Sequence, residues 1–292
     1  VALDFQRYIH ALQHGKHDIV DDIEVKLRTH LSVLANKDRQ KWEARLERCR
    51  TSYLVHPFNT PFVGHERLCV AISEMLRTEK VVTLFGSPGI GKSRIAIEAC
   101  RAHFIRKGTL FYVIPCREIR HADDIYTQIS LALQVEINPP SWENLKPILT
   151  RMQPTCFIFD GVESHQEELF TLIQKIQSCS NECWFLITTR SSKHISYGSF
   201  VEIPPLSTIE SIDLFYWQAK RSRSSFMITK DNFKILEAII RHLQYTPLSL
   251  EMVANKLSAY TLFELHEMLT ISKGHTLGSK TPSSIEKTLE WS

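Results

Sequence analysis

The stretch VVTLFGSPGIGKSRIAIEAC, residues 81 to 100, constrains the fold more than any other part of the chain. An apolar run leads into a glycine-rich octet of the form GxxxxGK[ST], and a segment with helical spacing of apolar residues follows. Glycines let the backbone wrap around an anion, so that N–H groups point at phosphate oxygens and the helix dipole adds to the attraction. A buried strand, a phosphate-binding loop and a helix are therefore predicted in that order.

Short apolar runs and helical patterns alternate from residue 62 to about residue 205. The runs predict strands over 81–85, 110–114, 155–159, 184–188 and 200–203. Amphipathic patterns predict helices over 92–107, around Ile125, Ile129 and Leu133, and after a capping box from Ser164 to Glu167. This alternation predicts an α/β fold with a parallel sheet covered by helices on both faces.

Segments without strand patterns lie on either side of this region. Residues 1–55 predict an N-terminal helical segment, and the prolines of 56–61 mark the start of the nucleotide-binding domain, predicted over 56–205. Capping boxes at Ser207 and Thr261 and the pair Thr246-Pro247 predict a small helical domain over 206–274, in which Phe233, Leu236, Ile240 and Leu243 mark one helix. Residues 275–292 predict a linker and the start of one more helix. Because the chain lacks an initial Met, we expect it to be part of a longer protein.

Composition excludes several classes of protein. The hydrophobic fraction of 43% with 23% charged residues is typical of a globular chain, and the longest apolar run, 110–116, is too short to cross a bilayer. The net charge of +3 gives no reason to expect nucleic acid, and the run KRSR at 220–223 is interpreted as a solvated loop. The seven cysteines form no CxxC pair, which favours reduced thiols in the cytoplasm or nucleus. We expect a cytoplasmic protein with no membrane partner.

The residues around the phosphate loop predict its chemistry. Lys92 would reach the β- and γ-phosphates, and Ser93 would give its hydroxyl to Mg²⁺. Asp160, at the end of the run CFIFD, would supply the carboxylate on the metal side. Glu163 would polarise the attacking water, or is a solvated acid favoured by the dipole of the next helix. Arg190, at the end of WFLITTR, would sense the γ-phosphate, or is a surface arginine at a strand end.

In order, FVGHERL (62–68), the phosphate loop, CFIFDGVE (156–163), ITTR (187–190), PPLSTIESIDLF (204–215) and YTPLSLEMVANKL (245–257) resemble the STAND class of regulatory P-loop ATPases. This class includes the NB-ARC proteins and the ATPase modules of bacterial transcriptional regulators. The resemblance covers residues 58 to 292, and its last part looks like the start of a winged-helix domain. It implies a switch that binds ADP or ATP with Mg²⁺ between its α/β and helical domains, hydrolyses ATP slowly, self-associates when activated and acts on downstream protein partners.

The resemblance also implies roles for individual residues. Phe62, Val63 and Gly64 would line the adenine pocket, and Pro247 would press on the base. The phosphates would be held by Gly86, Ser87, Pro88, Gly89, Ile90, Gly91, Lys92, Ser93 and Arg94. The sequence departs from the family in three places, because His65 replaces an arginine, Gly161 replaces a second acidic or amide residue, and Tyr245 replaces a glycine. These departures put efficient hydrolysis in doubt but leave nucleotide binding intact.

Two other functional hypotheses stay open. An AAA-type ATPase with real turnover would remodel nucleic acid or protein and would need a second sensor arginine, for which Arg241 is the candidate. A scaffold would use bound ADP only as a structural element. A metal site at His10, His14 and His17 is disfavoured because Gly15 interrupts the helix, and Cys179 with Cys183 reads as two bystander thiols.

Overall fold

The computed structural model describes residues 25, 26, 29, 61–104, 110–152, 154–180, 182–190 and 198–274. Of the predicted N-terminal helical segment, Val25, Lys26 and Thr29 are described, and they are helical. The three histidines at 10, 14 and 17 and the predicted segment 275–292 lie outside the described residues. In the part of the chain that is described, every helix is too short or too polar to cross a membrane.

A five-stranded parallel sheet forms where the apolar runs predicted it. Its strands are β1 Val81–Phe85, β2 Leu110–Pro115, β3 Thr155–Asp160, β4 Cys183–Thr189 and β5 Ser199–Glu202. Their order across the sheet is β2-β3-β4-β1-β5, so consecutive strands are not always neighbours. In the parallel register, Pro115 at the end of β2 lies opposite Asp160 at the end of β3. Helices cover both faces, which confirms the predicted fold class.

The helices follow the chain between and after the strands. Beside the sheet they are α1 Glu66–Thr78, α2 Lys92–Phe104, α3 Asp124–Leu133, α4 Trp142–Thr150 and α5 Gln166–Cys179. Beyond β5 they are α6 Thr208–Ser222, α7 Lys230–His242, α8 Pro247–Asn255, a 3₁₀ turn Lys256–Ser258 and α9 Leu262–Gly274. Helical spacing, caps and the proline at the first position of α8 account for most of these boundaries.

The chain forms two compact units. The first contains Leu68–Leu84 and Ile95–Val201, and aromatic rings fill its interior, where the Phe157 and Phe185 ring centroids are 5.9 Å apart. The second contains Phe62–Arg67, Phe85–Arg94 and the described residues from Glu202 onward. Its core is built from α6 to α9, and its buried members include Phe215, Leu236, Ile240, Leu250 and Leu265. The phosphate loop therefore groups with the helical region rather than with most of the sheet.

Some local predictions were wrong. Ser164 does not cap α5, because the chain turns through a left-handed His165 (φ 55°) and the helix begins only at Gln166. The segment KRSR is not a loop, since Lys220 to Ser222 form the last turn of α6. Helix α4 was not predicted, because Pro147 lies inside it and proline usually ends a helix.

Candidate nucleotide-binding site

The phosphate loop joins β1 directly to α2. Gly89 (φ 73°) and Gly91 (φ 96°) both have a positive φ that L side chains rarely adopt, so the path of the loop depends on glycine. A Cβ atom built on Gly91 would meet no atom of the described residues within 4 Å, so the space beside this loop residue is open. An open cradle of backbone at a helix N-terminus fits a phosphate group.

Lys92 is held across the loop that precedes it. Its Nζ donates to the carbonyl oxygen of Gly86 at 2.7 Å and to that of Ser87 at 2.9 Å. The ammonium group therefore lies beside the first residues of the loop, where it adds positive charge to the cradle. Ser93 follows at the second position of α2, so its hydroxyl also belongs to this helix end.

Charges at the helix ends indicate an anion at this place. Among the α-helices within the described ranges, α2 and α8 have no acidic residue in the first turn, whereas each of the others has at least one. Helix α2 instead begins with Lys92 and contains Arg94 in its first turn. Cations there oppose the helix dipole at a cost of about 0.3 to 1 kcal/mol each, which a bound anion would offset.

Helix α8 is hydrogen-bonded to the phosphate loop. The N–H of Leu248, the second residue of α8, donates to the carbonyl oxygen of Gly89 at 3.2 Å. Pro247, the predicted contact of the base, is the first residue of this helix and has no N–H to donate. Both helices without a first-turn acid thus begin at the same loop, and Pro247 belongs to the same compact unit as that loop.

The predicted adenine-binding segment is fixed to α6. Gly64 has φ 81°, and a Cβ atom there would lie 2.6 Å from Cδ2 of Leu206, so no larger residue fits. The N–H of His65 donates to Glu210 Oε1 at 2.9 Å, and Glu210 also closes the capping box of α6 with Ser207. One carboxylate therefore holds both the start of a helix and the segment that the resemblance assigns to the base.

Arg94 links the same segment to α8. Its guanidinium carbon lies 5.8 Å from the centre of the Phe62 ring. Burial raises the pKa of Glu251 in α8, and the positive charges of Arg94 and Arg221 oppose this rise. Glu251 is thus a half-buried acid whose pKa responds to two positive charges, one of them on Arg94 beside the phosphate loop. The predicted residues Phe62 and Arg94 therefore lie together.

A second group of predicted residues lies in the other unit, around the end of β3. Thr188 Oγ1 donates to Asp160 Oδ1 at 2.7 Å and accepts a hydrogen bond from the N–H of Gly161 at 2.8 Å. Arg117, which follows β2, places a guanidinium nitrogen 3.4 Å from Asp160 Oδ2. A carboxylate oriented by a neighbouring hydroxyl, as Asp160 is by Thr188, suits Mg²⁺, which proteins usually bind through one or two carboxylates.

Glu163 and Arg190 are paired with each other. The backbone N–H of Arg190 donates to the two carboxylate oxygens of Glu163 at 3.0 and 3.2 Å, and Nε of Arg190 lies 3.6 Å from Oε1. Helix α5 begins at Gln166, and the acids in its first turn are Glu167 and Glu168. Glu163 lies before the helix, so it is not the first-turn acid that the alternative interpretation expected. The predicted base and the predicted sensor thus occupy one ion pair.

The sequence did not indicate four residues that organise these groups. The capping box predicted Glu210 as part of a helix start only, and Arg117, Leu248 and Glu251 had no predicted site role. All four act on residues far away in the chain. A usable signal existed for Arg117, because it follows the carboxyl end of β2 much as Arg190 follows β4. Side chains at that edge of a parallel sheet are where ligands bind.

No protein-family model matches this chain. An uncharacterised protein of Mycobacterium tuberculosis (strain H37Rv) is 27% identical over 212 residues, which is 70% of this chain and 53% of that protein. A second protein of the same strain, described as an HTH-type transcriptional regulator, is 23% identical over 198 residues, which is 67% of this chain and 22% of that protein. The chain therefore spans about half the length of the first relative and less of the second.

Solved structures show the fold more clearly. The Walker-type ATPase of Pyrococcus abyssi matches with a TM-score of 0.54 and 13% identity, over 79% of this chain and 77% of that one. Cdc6p of Pyrobaculum aerophilum matches with a TM-score of 0.51 and 14% identity, over 77% of this chain and 71% of that one. The chain has the fold of P-loop NTPases, and these structural neighbours are P-loop ATPases.

Proposed function

We propose that this chain is the nucleotide-binding core of a STAND-type regulatory switch. ADP or ATP would bind the loop from Gly86 to Ser93, with Mg²⁺ held by Ser93 and Asp160. Exchange of ADP for ATP would rearrange the helical region and permit self-association and binding of downstream proteins. The relative described as an HTH-type transcriptional regulator supports a regulatory role for this region, but the activity of the whole protein belongs to the proposal as well.

One observation carries the proposal. The phosphate loop belongs to the same compact unit as α6 to α9, and Leu248 at the start of α8 donates a hydrogen bond to the loop residue Gly89. A nucleotide that changes the path of the loop would therefore act directly on the helical bundle. A ligand can shift a conformational equilibrium only by its differential affinity for the two states. Because the loop is hydrogen-bonded to α8, phosphates bound to the loop can have different affinities for two arrangements of the helices.

Slow hydrolysis follows from the charges near Asp160. Gly161 leaves Asp160 without an adjacent second acid, and Glu163 is engaged by Arg190. A general base must be able to reach the water whose proton it takes, so Glu163 would first have to leave its partner. Such an arrangement supports a switch whose rate of turnover is low, and steady-state hydrolysis at the rates of a remodelling enzyme would favour the AAA-type alternative.

The test measures bound nucleotide and self-association together. Protein purified at neutral pH is denatured, and the released nucleotide is identified by chromatography. The protein is then loaded with ADP or with a non-hydrolysable ATP analogue, and the molar mass of each sample is measured by light scattering after size exclusion. We expect retained ADP, a monomer with ADP and a larger species with the analogue.

Lys92→Ala is the diagnostic variant and Lys175→Ala, on α5, is its control. Both changes remove one lysine, but only Lys92 contacts the phosphate loop. We expect Lys92→Ala to bind nucleotide at least ten-fold more weakly than Lys175→Ala does. The melting temperatures of the two variants should agree within a few degrees. If both variants retain nucleotide equally, the loop does not bind it. If Lys92→Ala binds none yet assembles as the wild type does, a scaffold is the better description.

A further inference from the structure

Both oxygens of the Asp160 carboxylate already have partners in this protein. Oδ1 accepts the hydroxyl of Thr188 at 2.7 Å, and Oδ2 faces the guanidinium of Arg117 at 3.4 Å. Thr188 is itself fixed, because the backbone N–H of Gly161 donates to its Oγ1 at 2.8 Å. The hydroxyl of Thr188 therefore sets the orientation of the Asp160 carboxylate. Arg117 places its positive charge beside Oδ2, an oxygen that a metal ion would also bind.

Gly161 makes room for this arginine. Its φ is +79°, and a Cβ atom built on it would lie 2.3 Å from Cγ and 2.9 Å from Nε of Arg117. Any side chain at position 161 would thus collide with the stem of Arg117, in addition to the strain of a positive φ. Gly161, which departs from the pattern of the STAND class that the sequence resembles, therefore leaves space for Arg117 beside Asp160.

The two partners of this ion pair differ in how easily they can move. The Arg117 side chain is 65% exposed, whereas that of Asp160 is 16% exposed. An exposed arginine gives up a single ion pair at small cost because water replaces the contact. Asp160 stays fixed by Thr188, so a competing cation can displace the guanidinium without moving the carboxylate.

We propose that Arg117 competes with Mg²⁺ for Asp160 and so sets the Mg²⁺ concentration at which the protein binds nucleotide tightly. This inference rests on the proposed nucleotide site, because it concerns the metal that would accompany the phosphates. Two unit charges about 4 Å apart in a solvent-like medium change an equilibrium constant roughly five-fold. Arg117 therefore raises the Mg²⁺ requirement about five-fold above that of a site without it.

The experiment titrates Mg²⁺ against binding of fluorescent ADP in wild type, Arg117→Gln and Arg77→Gln. Arg77 is the matched control because its guanidinium pairs with Glu74 on the surface of α1, so the same charge and one carboxylate contact are lost. We expect the Mg²⁺ midpoint to fall about five-fold in Arg117→Gln and to stay at the wild-type value in Arg77→Gln. Arg117→Lys keeps the charge and should restore a midpoint near that of the wild type.

Each outcome separates this inference from the proposed function. If wild-type protein binds fluorescent ADP and the midpoint of Arg117→Gln is unchanged or raised, Arg117 does not compete with the metal, but the nucleotide site stands. If wild-type protein binds no ADP at any Mg²⁺ concentration, the proposed function itself fails. Thermal melting of all variants shows whether a shift in midpoint reflects binding rather than unfolding.

Discussion

Glu210 and Glu264 allow a controlled test of how the predicted adenine segment is fixed. Each is the third residue of its helix and closes a capping box, Glu210 with Ser207 in α6 and Glu264 with Thr261 in α9. Glu210 accepts one more hydrogen bond, from the N–H of His65 at 2.9 Å, across 145 residues of chain. Replacing each glutamate by alanine removes equivalent boxes but only one tertiary contact.

The difference in free energy of unfolding between the two variants estimates the contribution of the hydrogen bond from His65 to Glu210. Losing a capping interaction costs about 0.5 to 2 kcal/mol, and this part is common to both variants. Glu210→Ala also leaves the partly buried N–H of His65 without its acceptor, which costs about 1 to 3 kcal/mol when water cannot replace it. Because Glu210 is only half-buried, water can replace part of the lost contact, so we take the lower end and expect Glu210→Ala to be about 1 kcal/mol more destabilising than Glu264→Ala.

The assay is urea unfolding of the wild type and both variants at neutral pH, followed by binding of fluorescent ADP. Since His65 follows the segment Phe62 to Gly64, we expect Glu210→Ala to bind ADP several-fold more weakly and Glu264→Ala to bind like the wild type. Glu210→Gln keeps an acceptor oxygen for the N–H and should recover most of the lost affinity.

Equal losses of stability in Glu210→Ala and Glu264→Ala would refute this reasoning, because the tertiary bond would then contribute nothing. Unequal stability with equal ADP affinity would show that the contact holds the segment but that the segment does not bind nucleotide. Loss of affinity in both variants to the same extent would point to the helical bundle as a whole.

Three further predictions concern single residues. A Cβ atom at position 64 would lie 2.6 Å from Leu206, whereas one at position 91 would meet no atom of the described chain within 4 Å. Gly64→Ala should therefore lose more stability in urea unfolding than Gly91→Ala. Gly91→Ala, in the phosphate loop, should lose more affinity for ADP. Burial lowers the pKa of His65 although Glu210 and Glu66 oppose this, so the unfolded chain takes up the proton first and stability falls as the pH drops below about 6.5. His65→Asn should lose less stability between about pH 7 and about pH 5 than the wild type does. Burial, and then the charge of Asp160, raises the pKa of the Cys116 thiol to about 12, so a maleimide at neutral pH should modify Cys179 before Cys116, as mass spectrometry of peptides would show.

The sheet could be predicted from sequence because buried parallel strands are continuous apolar runs. Every strand was placed to within one residue at each end, as for the run 81–85, which is β1. The caps at Ser207 and Thr261 were also confirmed, since a capping box depends only on residues three apart. Local chemistry decides these features, so a local pattern is sufficient to find them.

Other features depend on contacts that a local pattern does not contain. The sequence around Ser164 has a correct capping box, but the left-handed backbone at His165 places the helix start beyond it. The Arg117 to Asp160 pair joins residues 43 apart, and its presence depends on the register of β2 against β3. Likewise, the grouping of the phosphate loop with the helical unit follows from packing, which the order of motifs does not determine.

The size of these contacts limits how the proposed switch can work. A change from 1:99 to 99:1 between two states requires about 5.5 kcal/mol of differential binding. The hydrogen bonds from Leu248 to Gly89 and from His65 to Glu210 contribute about 1 kcal/mol each on a typical scale, so together they supply less than half of that amount. Contacts of the nucleotide itself with the loop must therefore supply most of the difference. Leu248→Pro removes the N–H that donates to Gly89, and Glu210→Ala removes the acceptor of the His65 N–H. Each should accordingly shift the balance of states by about five-fold, whereas a variant that fixes one state through either contact alone would contradict this distribution of energy.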